Sequence, residues 1–433
     1  MKMLNRLFGF DARTMNVRTE VIAGATTFLT MSYVLAVNPT ILATTGMDKP
    51  ALFTSTALAV TLATMLMALM AKLPFAQAPS MGLNAFFAFS MCQTMGLTWQ
   101  QALAALLVEG IIFVLITFLN IRELILDSIP ANLRYAISAG IGMFIAFIGL
   151  KNAHIIVSDP NTFVALGHFT PAAILGVVSI LLSGVLMAKN TKGALFIAII
   201  ATTLLSILMG VTKVPEGWLP VSAPHSIEPI FCQFDFSALF SLDMAVVIFS
   251  LLFVNIFDTV GTLLGLADKT GIIRPDGSIP HVREAMLSDA IGTSAGALLG
   301  SSTITTYVES AAGVAEGGRS GLTSAVTALL FLLALFLSPL FLLIPAPATS
   351  GALVMVGVLM LDSVKKIEFT DITETFPAFI TMITMVLCYS IADGICLGLL
   401  SYVAMKCCTF KLKDVNLTLI ILAVIFVLKF VLG

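Results

Sequence analysis

Long runs of apolar residues recur along this chain, separated by short polar segments. Most runs are roughly twenty residues long, enough for a helix to cross a hydrocarbon core of about 30 Å. The pattern predicts an all-α integral membrane protein with fourteen spans. The predicted spans are 19–40, 51–72, 78–95, 99–121, 131–150, 171–188, 193–212, 241–267, 284–300, 303–317, 319–344, 347–363, 370–389 and 391–408. A further apolar run, 417–432, is left open as a segment that crosses, re-enters or lies along the bilayer.

Composition supports the membrane assignment. Hydrophobic residues make up 58% of the chain and charged residues only 11%, far from the makeup of a soluble domain. The net charge of −2 gives no basic surface for nucleic acid, so no nucleic-acid partner is expected. No Cys/His ligand spacing is present, so no metal site is expected. Membrane lipid is the expected surrounding partner.

The distribution of basic residues orients the spans. With the N-terminus placed in the cytoplasm, only Lys49, Lys151 and Lys213 fall in outer loops, and Lys429 is unassigned. The other Lys and Arg residues fall on the cytoplasmic side, as the positive-inside rule requires. We therefore expect a multi-pass protein of the cell inner (plasma) membrane with a cytoplasmic N-terminus.

Two of the spans are interrupted by polar residues. Spans 3 and 10 contain the segments 76–87 (AQAPSMGLNAFF) and 301–313 (SSTITTYVESAAG), which are too polar and too short for simple membrane helices. Seven spans in each half require the two halves to be inverted if they repeat. Irregular backbone at membrane depth is tolerated only inside protein or along a cavity, so the pair predicts a substrate site between the halves. The alternative is a pair of kinked structural helices.

Four carboxyl groups stand out inside the predicted spans: Asp258 in span 8, Glu309 in span 10, Asp289 in span 9 and Glu109 in span 4. No Lys or Arg lies in the same spans, and ionisable groups in a bilayer are functional candidates by default. An apolar environment favours the protonated form of a carboxyl, so these residues are candidate proton carriers. Asp289 is either a coupling group or a helix cap, and Glu109 has no polar neighbours in the sequence.

The chain resembles the AzgA-like hypoxanthine/guanine/adenine permeases of the nucleobase–cation symporter-2 (xanthine/uracil permease) superfamily. The motifs that carry the resemblance are 26–31 (TTFLTM), 79–89 (PSMGLNAFFAF), 257–262 (FDTVGT) and 307–318 (YVESAAGVAEGG). The resemblance extends over nearly the whole chain. In the related uracil permeases, an acid and a histidine one helical turn later on span 8 serve substrate and proton. Here the matching residues are Asp258 and Thr262. Because the histidine is absent, we expect Asp258 and Glu309 to serve both substrate and proton.

The resemblance also implies a fold and a division into domains. The fold is a uracil-permease-like 7+7 inverted repeat with half-helices and short strands at spans 3 and 10. Segments 1–121 and 241–344 are expected to form a core domain, 122–240 and 345–410 a gate domain that often dimerises, and 411–433 a C-terminal apolar segment. We therefore expect a homodimer.

A planar, amphipathic base needs in-plane hydrogen-bonding groups and an apolar face on which to stack. Carboxyls of Asp258 and Glu309, the Asn84 amide and a ring of Phe86 or Phe28 meet this need. The expected substrate-binding residues are Asn84, Ala85, Phe86, Asp258, Thr262, Tyr307, Val308, Glu309 and Phe28. The expected proton-coupling residues are Asp258, Glu309 and Asp289.

The expected function is proton-coupled import of purine nucleobases by alternating access, with no cofactor besides the proton. An ionised carboxylate accepts hydrogen bonds, which suits guanine and hypoxanthine better than adenine's unprotonated ring nitrogen. An adenine-selective permease of the same family remains an alternative, and an anion transporter of the same fold a weaker one. No enzyme is expected, because no HExxH, GxSxG or Cys/His cluster is present.

Overall fold

The computed structural model describes residues 2–119, 130–160, 162–215, 217–270, 280–411 and 414–432. The expected boundary between the first core and gate segments, at 121/122, lies outside these residues. In the first half of the chain, the helices and strands are α1 (Lys2–Phe8), α2 (Val17–Met31), α3 (Val34–Leu42), α4 (Lys49–Leu66), β1 (Gln77–Pro79), α5 (Met81–Ala85), α6 (Trp99–Phe118), α7 (Ala131–Asn152), β2 (Ile156–Asp159), β3 (Phe163–Leu166), α8 (Pro171–Ala188) and α9 (Ala194–Leu208). Two π-helical stretches, Met67–Ala71 and Phe86–Thr94, extend α4 and α5.

The second half again begins with membrane helices followed by a short strand, a half-helix and a further long helix. It contains α10 (Leu242–Thr270), α11 (Val282–Leu299), β4 (Ile304–Thr306), α12 (Ser310–Ala315), α13 (Gly321–Ala334), α14 (Ser338–Leu342), α15 (Ala346–Met360), α16 (Ile372–Leu387), α17 (Ile391–Cys408) and α18 (Leu417–Leu432). The 3-10 turns Leu335–Leu337 and Leu361–Lys366 follow α13 and α15.

Every predicted span coincides with a helix, or with a strand followed by a short helix. Within the described residues, nine helices are long and apolar enough to cross a membrane, and shorter apolar helices include α9 and α16. Spans 3 and 10 are the interrupted ones, as predicted: β1 leads into α5, and β4 leads into α12. The predicted all-α membrane fold, with short strands at these two spans, is confirmed.

Span 1 is interrupted by a short turn. It divides at Ser32 and Tyr33 into α2 and α3, and Pro39 lies inside α3. Its two parts together cover the length of a transmembrane helix. The Tyr33 side chain, at the turn, lies inside the protein and is 1% exposed.

The helices sort into two packing groups. In one group α13 packs against α2 and α4, and α11 packs against α4 and α6, which also contacts α10. In the other group α15 packs against α7 and α8, and α16 packs against α7 and α17. Each group combines elements from both halves of the chain, as an inverted repeat would produce.

Small residues bring α7 and α15 into close contact. A Cβ at Gly142 would lie 2.8 Å from the Gly357 carbonyl oxygen, and a Cβ at Gly357 would lie 2.4 Å from the Gly142 carbonyl oxygen. Glycine is therefore required on both helices for their backbones to approach this closely. Small residues at helix crossings are the usual solution in membranes, where burial of apolar surface does not drive association.

The two interrupted spans meet in a buried antiparallel strand pair. Gln77 lies opposite Thr306 and Pro79 lies opposite Ile304, and every residue of both strands is buried. Neighbouring groups complete the backbone hydrogen bonds. Thr303 O accepts from Ser80 N at 2.9 Å, just beyond the end of the pair. These bonds satisfy polar backbone that the bilayer would otherwise penalise.

Two features go beyond the predictions. Strands β2 and β3 form an exposed antiparallel hairpin between α7 and α8, which the apolar pattern did not indicate. The apolar run 417–432 forms the helix α18, which packs against α17 and α10. Phe426 on α18 is 1% exposed and its ring lies 6.1 Å from that of Phe249 on α10.

Candidate functional site

Asp258 and Glu309, the two predicted site acids, both accept hydrogen bonds from side-chain hydroxyls. Asp258 is on α10, and its Oδ2 accepts a hydrogen bond from the Ser80 hydroxyl at 3.1 Å. Ser80 is the residue between β1 and the half-helix α5. The strand pair and the half-helices therefore bring together an acid from the second half and a hydroxyl from the first.

Glu309 lies in span 10 immediately before the half-helix α12, as Ser80 lies immediately before α5. Its Oε1 accepts a hydrogen bond from the Tyr33 hydroxyl at 2.8 Å. Tyr33 is absent from the sequence-predicted site. The sequence does carry a signal for Tyr33, because the chain has only five tyrosines and this one interrupts an apolar span.

Neutral donors surround both carboxyls. Among the described side chains, neither Asp258 nor Glu309 takes part in an ion pair. A buried carboxylate without a cation is costly, so charge at this site is balanced by a proton or by a ligand that donates hydrogen bonds.

The three predicted residues on the first interrupted span are fully covered. Asn84, Ala85 and Phe86 are each at most 1% exposed. The Ser302 hydroxyl donates to Asn84 Oδ1, and Asn84 Nδ2 lies 3.9 Å from Met81 Sδ. The Asn84 amide thus joins the two interrupted spans, and its Nδ2 has only a weak sulfur acceptor.

Other predicted residues lie at the edge of open space. Val308 is 50% exposed and Thr262 is half-buried. A Cβ added at Gly261, beside Thr262, would meet no atom within 4 Å. Gly261 is exposed and lies three residues after Asp258, so the surface of α10 beside Asp258 is open.

Tyr307 and Phe28 are held by internal contacts. The Tyr307 hydroxyl donates to the Pro79 carbonyl, and Tyr307 N donates to Ala76 O at 2.9 Å. Phe28 is half-buried and packs edge-to-face on Phe331, with centroids 5.0 Å apart. Tyr307 fastens the strand pair from the second half to the first.

Asp289 bonds to the strand pair rather than capping a helix. It lies in the middle of α11, and its Oδ2 accepts from the Thr259 hydroxyl at 2.6 Å. The Thr306 hydroxyl donates to Oδ1 at 3.0 Å and Thr306 N lies 3.3 Å from Oδ2. Asp289 thus fixes β4 against α11, and its partner Thr259 is the residue after Asp258 on α10.

Glu109 has polar partners that its own sequence neighbourhood does not show. Asn255 Nδ2 donates to Glu109 Oε1 at 2.8 Å, and the Thr303 hydroxyl lies 3.5 Å from Oε2. These partners come from α10 and from the segment before β4, so the sequence around Glu109 does not show them.

A metal site and a second ligand cavity are two further possibilities among the described residues. Nowhere in the described ranges do three His, Cys, Asp or Glu side chains gather as a metal site would require. A cavity of about 280 Å³ lies between α17 and α18. Its lining is wholly apolar and includes no predicted site residue, so it lacks the polar groups that would orient a base.

Two half-helices that meet inside an inverted-repeat membrane bundle, with buried carboxyls beside them, define a multi-pass membrane transport protein. A family model described as "Permease family", of xanthine/uracil permeases, matches residues 18–397. The chain belongs to this family. Similar proteins include permeases for nucleobases.

Relatives of this chain carry specific names. The adenine permease AdeP of Escherichia coli is 44% identical over 430 residues, covering 99% of this chain and 96% of that protein. The guanine/hypoxanthine permease PbuG of Bacillus subtilis is 40% identical over 440 residues, covering 99% of both. These relatives are permeases and not enzymes.

Solved structures share the fold at low sequence identity. The transmembrane domain of a cyanobacterial bicarbonate transporter, BicA, matches with a TM-score of 0.65 at 16% identity, covering 88% of this chain and 98% of that one. Murine Slc26a9, an anion transporter in the inward-facing state, matches with a TM-score of 0.64 at 12% identity, covering 94% and 70%. At such identities the likeness establishes the inverted-repeat architecture alone.

Proposed function

We propose that this chain imports purine nucleobases together with protons by alternating access. The observation that carries the proposal is the pair of carboxyls, Asp258 and Glu309, held by neutral hydroxyls where the two interrupted spans meet. The naming of relatives as adenine and guanine/hypoxanthine permeases supports a purine base as the substrate.

The site residues match the edge of a purine. Asp258 and Glu309 supply hydrogen-bond acceptors for ring N–H and amino groups, and the Tyr33 hydroxyl supplies a donor or acceptor. In this proposal Thr262 and Val308 line the open side of the site, while the half-buried Phe28 offers a ring face. The buried Asn84, Ala85, Phe86 and Tyr307 reach the base only after the core has shifted, or act by holding the strand pair in place.

Hypoxanthine and guanine are the proposed preferred bases. Each carries a ring N–H that an ionised carboxylate can accept, whereas adenine presents an unprotonated ring nitrogen at that position. Adenine remains the alternative substrate, and relatives with either name share similar identity with this chain.

Proton coupling follows from the same carboxyls. Asp258, Glu309 and Asp289 have no cation partner among the described side chains, so their neutral forms are favoured by burial. If a proton and a base bind together better to one conformation than to the other, loading drives the change of access.

The two packing groups are the proposed moving parts. We assign 1–121 and 241–344 to a core, 122–240 and 345–410 to a gate, and 411–433 to the C-terminal segment. The groups meet where the Arg134 guanidinium lies 5.3 Å from the Phe257 ring and where Phe89 contacts Tyr389. A homodimer in the inner membrane with its N-terminus in the cytoplasm completes the proposal.

Uptake of radiolabelled hypoxanthine into cells that express the chain tests the proposal. Guanine, adenine, uracil and xanthine serve as competitors, each with and without a protonophore. We expect protonophore-sensitive uptake that guanine competes most strongly. Uptake of no base would refute the proposed function, and uptake of labelled bicarbonate or chloride instead would favour an anion transporter of the same fold.

A further inference from the structure

Glu109 is a buried carboxyl that the proposed transport step leaves unused. It lies in the middle of α6 and is fully buried. Its hydrogen-bond partners are the neutral side chains of Asn255 and Thr303. An unpaired negative charge in such a place is costly, so the group needs a proton to be neutral.

The side-chain amide of Asn255 can form a hydrogen bond with Glu109 in either protonation state. In the structure Asn255 Nδ2 donates to the carboxyl, while the buried Asn255 Oδ1 has no hydrogen-bond partner among the described residues. A carboxylate accepts from the amide N–H, and a protonated carboxyl donates to the amide oxygen once the amide turns over. The same pair of side chains can therefore hold Glu109 with or without a proton.

Two short connections join Glu109 to the base site. Asn255 precedes Asp258 by three residues on α10, so the two side chains share one face of the helix. Thr303, the second partner, accepts from Ser80 N through its carbonyl at 2.9 Å, and the Ser80 hydroxyl donates to Asp258. Any movement of the strand pair at the base site therefore moves a hydrogen-bond partner of Glu109.

Other titratable groups on the elements packed against α6 are engaged elsewhere. Asp258 on α10 and Asp289 on α11 bond to hydroxyls around the strand pair. The Arg283 guanidinium on α11 donates to the carbonyl of Phe118 at the end of α6. Cys92, on the π-helical stretch after α5, is half-buried. None of these groups is a hydrogen-bond or ion-pair partner of Glu109.

We propose that Glu109 is a second proton-binding site of the core, filled and emptied in step with the base site. The inference rests on the proposed function, because it adds one proton to the same transport cycle. Protonation forms one O–H bond on the carboxylate, and the proton comes from and returns to water. Through Asn255 and Thr303, the protonation state of Glu109 and the position of the strand pair are linked.

The number of protons bound with each base tests the inference. The purified full-length protein binds labelled hypoxanthine across a pH series, and each proton taken up with the base changes the dissociation constant ten-fold per pH unit. We expect Glu109→Gln to bind the base with one proton fewer than the wild type. Its dissociation constant should then change ten-fold less per pH unit than that of the wild type. A pH indicator in weak buffer counts the same protons directly.

An unchanged proton count in Glu109→Gln, with base binding intact, would overturn this inference and leave the proposed function standing. Absence of base binding by the wild type would overturn both. Glu20→Gln is the matched control. Glu20 is 1% exposed, but it accepts from two backbone N–H groups at the start of α13, so its removal leaves the proton count unchanged.

Thr303→Val provides the second variant if Glu109→Gln binds no base. Valine keeps the shape and the backbone carbonyl of Thr303 but removes the hydroxyl donor to Glu109. We expect the midpoint of the affinity-against-pH curve to move while the number of protons stays the same. A midpoint identical to that of the wild type would overturn the inference.

Discussion

Hydroxyl groups, not cations, hold the carboxyls of the site. Tyr33 bonds to Glu309 and Ser80 bonds to Asp258, and the donor lies in the first half of the chain in both cases. Neutral donors leave each carboxyl able to exchange a proton, whereas a Lys or Arg partner would hold it ionised. In the proposed mechanism, these neutral donors allow each carboxyl to take up and release a proton.

Replacing either site carboxyl by its amide removes a protonatable group with little change in volume. We expect Glu309→Gln and Asp258→Asn each to abolish base uptake while the protein still inserts in the membrane. Uptake assays normalised to membrane expression measure the effect. Glu228→Gln, at an exposed loop carboxyl, is the control and should transport normally. Wild-type uptake in both site variants would contradict the role assigned to these acids.

Tyr33→Phe removes one hydroxyl and keeps the ring. A hydrogen bond to an acidic group contributes about 1.5–3 kcal/mol, so we expect roughly ten-fold or greater weakening of base affinity. The concentration dependence of uptake measures it. Tyr135→Phe is the control, since Tyr135 on α7 lies outside the site and its ring contact with Lys366 is retained. Equal affinity in the Tyr33 variant and the wild type would show that this hydroxyl does not serve the site.

Interrupted helices are visible in the sequence because polar residues at membrane depth break the apolar pattern. Their pairing is not visible, since the register of β1 against β4 joins residues more than two hundred positions apart. The β2–β3 hairpin was missed for a different reason. It lies between helices, where a search for apolar runs carries no signal.

The close contact between helices α7 and α15 leads to a prediction about stability. A Cβ at Gly357 would lie 2.4 Å from the Gly142 carbonyl oxygen, which forces the helices apart. Overpacking of this kind costs about 1–3 kcal/mol, so we expect Gly357→Ala to lower the melting temperature by about 1–3 °C in a chain of this length. A thermal-shift assay on purified protein measures it.

Gly184 on α8 supplies the matched control. A Cβ there would meet only Met355 Sδ, at 3.9 Å, which is ordinary van der Waals contact. Gly184→Ala should therefore melt like the wild type. Equal melting temperatures for both alanine variants would show that the α7–α15 contact tolerates separation.

Across the whole molecule, transport by the proposed mechanism requires the core to move against the gate. Phe89 follows the first half-helix in the core, and Tyr389 lies between α16 and α17 in the gate, with ring centroids 5.7 Å apart. Tyr389 also contacts Phe144, on α7 of the gate, at 5.3 Å. One residue therefore has a neighbour in each of the proposed domains.

Cross-linking distinguishes these two contacts. In a background without the six native cysteines, we expect a short thiol cross-linker between Phe89→Cys and Tyr389→Cys to reduce base uptake at least ten-fold. The control pair, Phe144→Cys with Tyr389→Cys, lies within the gate and should retain uptake after cross-linking. Equal uptake with either cross-link would contradict movement between core and gate at this contact.

The sequence by itself determined the spans, the two interrupted segments and the family, and it predicted Asp258 and Glu309 as the acids of the site. Each of these is a local property, since apolar length, polar interruption and short motifs are all contained in neighbouring residues. The tertiary structure alone decided the partners of the buried polar groups. Tyr33 lies 276 residues from Glu309, and Asn255 lies 146 residues from Glu109. A buried polar group must find a partner wherever the fold supplies one, so these pairings depend on the packing of the whole bundle.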